Sequence, residues 1–179
     1  LSLVDGVIEL VDARVPSSSR NPELDDIIKT KPRIILLNKA DVANQNATSI
    51  WLKYYKDKGF TALAVDCRSG KGLNKFPSAV KSALSSVIER NNNKGMANKP
   101  LRLMVVGIPN VGKSTFINSY AKKAVAKTGN KPGVTKGKQW IRLDKNVEML
   151  DTPGILWPKF EDQSVGEHLA MIGSIKDDV

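Results

Sequence analysis

Residues 107–114 read Gly-Ile-Pro-Asn-Val-Gly-Lys-Ser, so two glycines five positions apart are followed by a lysine and a serine. A strongly apolar run over 101–106 precedes them, and a helix-like stretch over 114–123 follows. Glycines let backbone N–H groups turn inward around phosphate oxygens, and the following helix adds its positive N-terminal end. With these flanks, the pattern predicts a phosphate-binding loop between a strand and a helix, and disfavours a chance glycine turn.

The residues of this loop have distinct expected roles. Lys113 should lie against the β- and γ-phosphates as a point charge, and the Ser114 hydroxyl should bind Mg²⁺. The other nucleotide contacts predicted in and beside the loop are Gly107, Asn110, Val111, Gly112 and Thr115.

A second pattern, Asn38-Lys39-Ala40-Asp41, follows an apolar run over 33–37 that is predicted to be a strand. The Asp41 carboxylate can accept from both N1–H and the 2-amino group of guanine. Adenine offers no such pair and would leave the carboxylate unpaired, which argues against an ATPase or an ATP-dependent kinase. Asn38 can bond the base or brace the phosphate loop, and the Lys39 stem can lie over the ring.

A third predicted strand, over 61–65, runs into Asp66, Cys67 and Arg68 and then into a Gly-Lys-Gly tail. Guanine-binding folds have a short loop here, often Ser-Ala-Lys, whose backbone N–H meets guanine O6. Alignment on the glycine tail predicts that residues 66–68 form this loop, although their side chains depart from the common form.

Two further segments concern the γ-phosphate. Asp151, after a predicted strand over 147–150, can hold Mg²⁺ through water, and the Gly154 N–H can meet a γ-phosphate. Thr135, in a basic loop over 126–138, is the natural second hydroxyl ligand of Mg²⁺. The predicted catalytic residues are Lys113, Thr135 and Gly154, and the predicted Mg²⁺ ligands are Ser114, Thr135 and Asp151.

The charge distribution indicates a polyanionic partner. The chain has 179 residues and a formal net charge of +10, and residues 94–145 contain 12 Lys or Arg and one acidic residue. This block is longer than a nucleotide alone requires, so it favours nucleic acid. A single cysteine excludes an internal disulfide framework and fits a reducing compartment. No apolar run approaches the ~20 residues that span a bilayer, so we expect a cytoplasmic protein, or an organellar one if the source is eukaryotic. We also expect a monomer.

Alternating strands and helices predict an α/β fold with a mainly parallel six-stranded sheet and helices on both faces. The remaining strands are predicted over 7–11, 101–106 and 139–143. Helices are predicted over 23–29, 46–58, 72–90, 114–123 and 164–175. A polar, glycine-containing stretch over 91–99 predicts a linker.

The order of the motifs is unusual. A conventional GTPase begins with the phosphate loop and ends with Asn-Lys-x-Asp and the O6 loop, whereas here the last two come first. A circular permutation produces this order, and the linker over 91–99 would then join the former C-terminal helix to the former first strand.

The sequence resembles the circularly permuted P-loop GTPases of bacterial and organellar ribosome assembly, specifically the YlqF family. The resemblance rests on residues 12–16, 18–22, 38–41, 107–114, 132–135 and 151–162. It implies that GTP and GDP are the ligands and that GTP is hydrolysed at a low intrinsic rate stimulated by the ribosome. The implied partner is the large ribosomal subunit with its rRNA, during late maturation.

The resemblance also identifies differences. Family members usually have an N-terminal segment with a histidine and a C-terminal rRNA-binding domain, so we expect this sequence to be part of a longer protein. Residues 1–179 are predicted to be one GTPase domain, with 155–179 a switch segment leading toward that C-terminal domain. Ile155 replaces the glutamine that often orients the attacking water, which leaves open a nucleotide-dependent rRNA-binding module with little or no hydrolysis.

Four side chains have roles that the sequence pattern alone does not decide. Asn110 resembles the K⁺ ligand of potassium-stimulated GTPases and equally fits a role in bracing the loop. Arg14 and Arg20 could neutralise transition-state charge, but salt-bridge roles are favoured. His168, in the helix predicted over 164–175, is expected to be structural.

Overall fold

The computed structural model describes residues 2–28, 30–97, 99–121, 139–143, 145–154 and 162–175. Within these ranges six strands form one sheet in the order β3-β2-β1-β4-β6-β5. Neighbouring strands are parallel except for β5 and β6, which are antiparallel, so the predicted mainly parallel sheet is confirmed. The strands are β1 (Gly6–Asp12), β2 (Arg33–Asn38), β3 (Thr61–Ala64), β4 (Leu101–Val106), β5 (Gln139–Arg142) and β6 (Val147–Asp151).

The described ranges also contain six α-helices, which pack on both faces of the sheet. They are α1 (Glu23–Ile28), α2 (Gln45–Asp57), α3 (Phe76–Ala83), α4 (Ser85–Asn93), α5 (Lys113–Ala121) and α6 (Gln163–Met171). None of them is both long enough and apolar enough to cross a membrane.

Strands β1 and β2 are buried at every position, as expected for parallel strands covered on both faces. Successive side chains point to opposite faces and join different apolar clusters. Ile34 and Leu36 pack in the cluster that includes Phe116 of α5, whereas Ile35 and Leu37 pack with Tyr55 of α2. The alternation explains why these runs carry apolar residues at consecutive positions.

The helix predicted over 72–90 is wrong in its extent. A 3₁₀ turn at Leu73–Lys75 comes first, and α3 then ends before Leu84, whose backbone lies outside the helical region (φ −105°, ψ 18°). The second piece, α4, continues to Asn93, so the first three residues assigned to the linker are helical. Asn91 is buried, which ties this last turn to the fold.

The last helix, α6, also ends earlier than predicted. Gly173 has a φ of 72°, and its N–H donates to Ala170 O while the N–H of Ser174 donates to Leu169 O. A glycine in the left-handed region with this pair of bonds ends a helix. The chain therefore leaves α6 after Met171, although the sequence predicted helix to Ile175.

The four central strands finish at one edge of the sheet, because parallel strands present their carboxyl ends together. Asp12 ends β1, Asn38 ends β2, Val106 ends β4 and Asp151 ends β6. Ligands of open α/β sheets bind outside this edge, and the motifs predicted from the sequence meet there.

Candidate nucleotide-binding site

The loop between β4 and α5 has the backbone conformation that its glycines permit. Gly107 has a φ of 155° and Gly112 a φ of 102°. A Cβ atom at Gly107 would lie 2.7 Å from Leu10 O, and one at Gly112 would collide with the side-chain amide of Asn38. Asn110 also has a positive φ, 59°. The glycines are thus required both by the turn and by close contact with β1 and β2.

Lys113 is folded back over the loop. Its Nζ donates to Gly107 O at 3.0 Å and to Ile108 O at 2.9 Å, and the residue is buried. Burial lowers the pKa of Lys113 to about 8, against an opposing effect of the Asp151 charge. A desolvated ammonium surrounded by loop carbonyls is well suited to an incoming phosphate, which would supply the negative charge it lacks.

Ser114 and Asp151 lie side by side at the start of α5 and the end of β6. The Ser114 hydroxyl donates to Asp151 Oδ2 at 3.3 Å. The next residue, Thr152, donates to Val105 O at 2.6 Å and fixes the end of β6 against β4. In the described part of the chain, no group of three or more His, Cys, Asp or Glu could hold a metal. A hydroxyl and one carboxylate instead fit Mg²⁺, which takes few protein ligands and completes its shell with phosphates and water.

Gly154 contacts the phosphate loop directly. A Cβ atom there would lie 2.6 Å from Pro109 N and 2.7 Å from Pro109 Cα. Only a glycine allows the backbone after β6 to approach the loop so closely. Thr115 lies in the first turn of α5. Thr135 and Ile155 lie outside the described residues.

Asn38 connects the three motifs. Its Nδ2 donates to Val111 O at 2.8 Å in the phosphate loop, and its Oδ1 accepts from the Cys67 N–H at 3.0 Å. Of the two roles that the sequence allowed, base contact or bracing, the structure shows bracing. Because both partners are main-chain atoms, this one amide fixes the spacing between the loop at 107–112 and the loop at 66–68.

Lys39 and Asp41 follow on the same turn. Lys39 has left-handed backbone angles (φ 60°, ψ 33°), and its Nζ donates to Asn110 O at 3.0 Å. Asp41 lies on a 3₁₀ turn (Ala40–Val42) and is exposed. The lysine stem therefore reaches from β2 to the phosphate loop, while the carboxylate is accessible to a ligand.

The loop at 66–68 is organised by its own carboxylate. Asp66 accepts from the Arg68 N–H at 2.9 Å and from the Ser69 hydroxyl, and these bonds hold the pKa of Asp66 below its ordinary value, against desolvation by burial. The Cys67 thiol is buried, and desolvation raises its pKa to about 12, so it stays neutral. The N–H groups of 67 and 68 donate to the side chains of Asn38 and Asp66. Their contact with guanine O6 stays a prediction.

The two arginines considered for catalysis are bound elsewhere. Arg20 pairs with Glu9 at 3.3 Å and with Asp25 at 2.6 Å. Arg14 pairs with Asp12 at 2.7 Å. The salt-bridge roles favoured from the sequence are thus observed in the ligand-free state.

Two contacts of α6 with this region were not anticipated from the sequence. The Ser18 hydroxyl lies 2.9 Å from His168 Nδ1, which fits the structural role expected for that histidine. The Asn110 side-chain amide donates to Gly173 O at 2.8 Å. The two residues in each contact are 150 and 63 positions apart in the chain, and no motif in the sequence indicates that they meet.

Comparison with known proteins gives consistent similarities. Residues 102–177 match the family described as 50S ribosome-binding GTPase. Ribosome biogenesis GTPase A of Priestia megaterium is 54% identical over 100% of this chain and 62% of the relative. The crystal structure of GNP-bound YlqF from T. maritima superposes with a TM-score of 0.65 at 29% identity, covering 98% of this chain and 63% of that one. This chain belongs to the YlqF family of GTPases.

Membership of the YlqF family accounts for the motif order, because YlqF proteins are circularly permuted GTPases. A GDP-bound YlqF structure matches equally well, with a TM-score of 0.65 at 28% identity. The chain spans 60% to 64% of the length of four curated relatives that are named Ribosome biogenesis GTPase A.

Proposed function

We propose that this domain binds GTP and GDP at the carboxyl edge of its sheet and hydrolyses GTP with Mg²⁺ during maturation of the large ribosomal subunit. The proposal rests mainly on one observation: the Asn38 side-chain amide hydrogen-bonds both Val111 of the phosphate loop and Cys67 of the loop at 66–68. A chance lysine-containing turn would have no reason to be joined in this way to a guanine-type motif 73 residues away.

The phosphate side of the mechanism uses Lys113 and the loop amides. On binding, the γ- and β-phosphates replace the carbonyls of Gly107 and Ile108 as partners of the Lys113 ammonium. Ser114 and Asp151, with Thr135, would hold Mg²⁺, which when bound neutralises phosphate charge. The Gly154 backbone, already against Pro109, is placed to sense whether a γ-phosphate is present.

The base side uses Asp41 and Lys39. The exposed Asp41 carboxylate accepts from N1–H and the 2-amino group of guanine, and the Lys39 stem covers one face of the ring. The residues proposed for O6 are Asp66, Cys67 and Arg68, through their main chain. Selectivity follows because adenine would leave the carboxylate desolvated and unpaired.

A K⁺ ion beside the phosphates is a finer proposal. Asn110 Nδ2 donates to Gly173 O, and Asn110 Oδ1 of the same amide is the atom that a cation would require. Donation from Nδ2 braces the turn after α6, whereas K⁺ binding would use the oxygen of the same amide.

The proposed partner is the large ribosomal subunit with its rRNA. The support is the excess of Lys and Arg over 94–145 and the names of the relatives, which describe ribosome biogenesis or ribosome binding. A 36% identical relative from Arabidopsis thaliana is named as mitochondrial. We propose a cytoplasmic location, with an organellar one for a eukaryotic source, and a monomer.

We also propose that the nucleotide state is transmitted through residues 155–179. The support is the pair of α6 contacts, one to Asn110 on the phosphate loop and one to Ser18 on the loop after β1. If the γ-phosphate weakens or restores these two contacts, the segment would have the two states that a switch requires.

The decisive experiment is multiple-turnover hydrolysis of GTP with and without purified large ribosomal subunits. The expected result is slow turnover that the subunits accelerate and that Lys113→Ala abolishes, because the phosphates lose their nearest fixed cation. Lys53→Ala, on exposed α2, is the matched control and should turn over normally. Nucleotide binding without turnover, even with subunits present, would favour the alternative of a binding module without catalysis.

A further inference from the structure

Asp12 is a fully buried carboxylate at the end of β1, directly beside the guanine motif. Its Oδ1 accepts from the Arg14 main-chain N–H at 3.0 Å and from Arg14 Nε at 2.9 Å. Its Oδ2 accepts from Arg14 Nη2 at 2.7 Å and lies 3.1 Å from Lys39 Nζ. The carboxylate thus joins two cations and has both oxygens occupied.

The electrostatics show that the carboxylate is held in its charged form. Burial alone would raise the pKa of Asp12, but the hydrogen bonds from Arg14 and the charge of Lys39 hold it below its ordinary value. A buried, ionised group of this kind keeps its partners in place, because moving either one leaves charge uncompensated.

Lys39 is the partner that reaches the nucleotide. Its ammonium is fixed at two points, Asp12 Oδ2 at 3.1 Å and Asn110 O at 3.0 Å. Ordering a lysine side chain restricts several rotatable bonds and therefore costs conformational entropy. Both anchors are protein atoms, so they order the side chain without any contact from the base.

We propose that Asp12 is a positioning residue of the guanine site, which holds the Lys39 stem across the place where the base binds. Arg14 in turn fixes Asp12 through the forked pair of bonds. The inference rests on the proposed placement of guanine between Lys39 and Asp41. A preorganised stem lowers the ordering cost of binding, so its loss appears mainly as faster release of the nucleotide.

Glu9 offers a matched control on the same strand. It is also buried and ion-paired, with Arg20 at 3.3 Å and Arg33 at 3.2 Å. Its arginine partners belong to the loop after β1 and to the start of β2, not to the nucleotide motifs. Glu9→Gln therefore reports what the loss of a buried charge on β1 does to the fold alone.

The test is a double-mutant cycle on the release rate of GDP labelled on its ribose with a fluorophore. Asp12→Asn should speed release about tenfold, within the coupling expected for residues in contact. In a Lys39→Met background the same substitution should add nothing, because the stem that it positions no longer carries the ammonium. Glu9→Gln should release GDP at the wild-type rate even if its melting temperature falls.

Two outcomes would overturn the inference: wild-type release from Asp12→Asn, or an undiminished effect of Asp12→Asn in the Lys39→Met background. If Asp12→Asn does not fold, Arg14→Lys is used in the same cycle, since it keeps the charge and loses the fork. Arg14→Lys should speed GDP release about threefold in the wild-type background, as expected when residues in contact are coupled more weakly. In the Lys39→Met background it should leave the release rate unchanged. Equal release rates for Arg14→Lys and wild type would count against the role of Asp12.

The same titrations separate this inference from the function on which it rests. Asp41→Asn should reverse the preference for GDP over xanthosine diphosphate. If it does not, the placement of guanine has failed. If Asp41→Asn changes its nucleotide preference as expected but Asp12→Asn releases GDP at the wild-type rate, only the positioning role of Asp12 is wrong.

Discussion

The side-chain amide of Asn110, in the phosphate loop, donates a hydrogen bond to the carbonyl oxygen of Gly173, just after α6, over 2.8 Å. This contact links the loop that would hold the phosphates to the segment that follows β6. The acceptor carbonyl belongs to the turn that ends α6, so the phosphate loop directly contacts the segment at the C-terminal end of this helix.

Removing this bond should loosen α6. Asn110→Ala is expected to raise hydrogen exchange over 162–175 roughly threefold or more, since a single bond contributes about 1 kcal/mol. Asn92→Ala, at an exposed position of α4, is the matched control. Unchanged protection in Asn110→Ala would mean that α6 is held by its apolar packing and its Ser18–His168 contact, without a contribution from Asn110.

Lys113 should make the ligand-free protein less stable at neutral pH. Its folded pKa is about 8 against an ordinary 10.5, so the folded state binds the proton less tightly than the unfolded one. Stability should thus rise as the pH increases from about 8 to 10.5, by up to about 3 kcal/mol from this group. Lys113→Met should remove that part of the pH dependence.

The measurement is urea unfolding of both proteins between pH 7 and 10.5 without nucleotide. Lys113→Met is expected to be the more stable protein at pH 7 and to lose that advantage as the pH rises. Parallel curves for the two proteins would show that the burial of Lys113 carries no such cost.

Potassium should stimulate hydrolysis if Asn110 binds it. The rate in KCl is expected to exceed that in NaCl at equal ionic strength, because a K⁺ ion near the phosphates would offset developing charge. Asn110→Ala should erase the difference, because it removes the amide oxygen that would bind K⁺. Equal rates in the two salts would leave Asn110 with its bracing role only.

Much of the fold and site was accessible from the sequence because the signals were local. Apolar runs gave all six strands within one or two residues, and the glycines marked the turn of the phosphate loop. The helix predicted over 72–90 was wrong in its extent, since no proline or glycine marks the break at Leu84 and the three asparagines at 91–93 are poor helix formers. The last turn of α4 forms because Asn91 is buried, which is a tertiary effect.

The contacts that join the motifs were not accessible from the sequence. Asn38 could equally bond the base, and only the distance to Val111 decides that it braces the loop. Asp12 was visible as an acidic residue after an apolar run, but its pairing with Lys39 depends on β1 and β2 lying side by side. The link from Asn110 to Gly173 depends on where α6 packs.

The direct test of the account is calorimetric titration of wild type and Asp41→Asn with GDP, xanthosine diphosphate and ADP. Wild type should bind GDP at least roughly 10²-fold more tightly than the other two, because each leaves the Asp41 carboxylate without its pair of donors. Asp41→Asn should reverse the preference between GDP and xanthosine diphosphate, and Asp57→Asn, at the exposed end of α2, should behave as wild type. Equal affinity of wild type for GDP and ADP, or an unchanged preference in Asp41→Asn, would contradict a guanine-nucleotide site at this edge of the sheet.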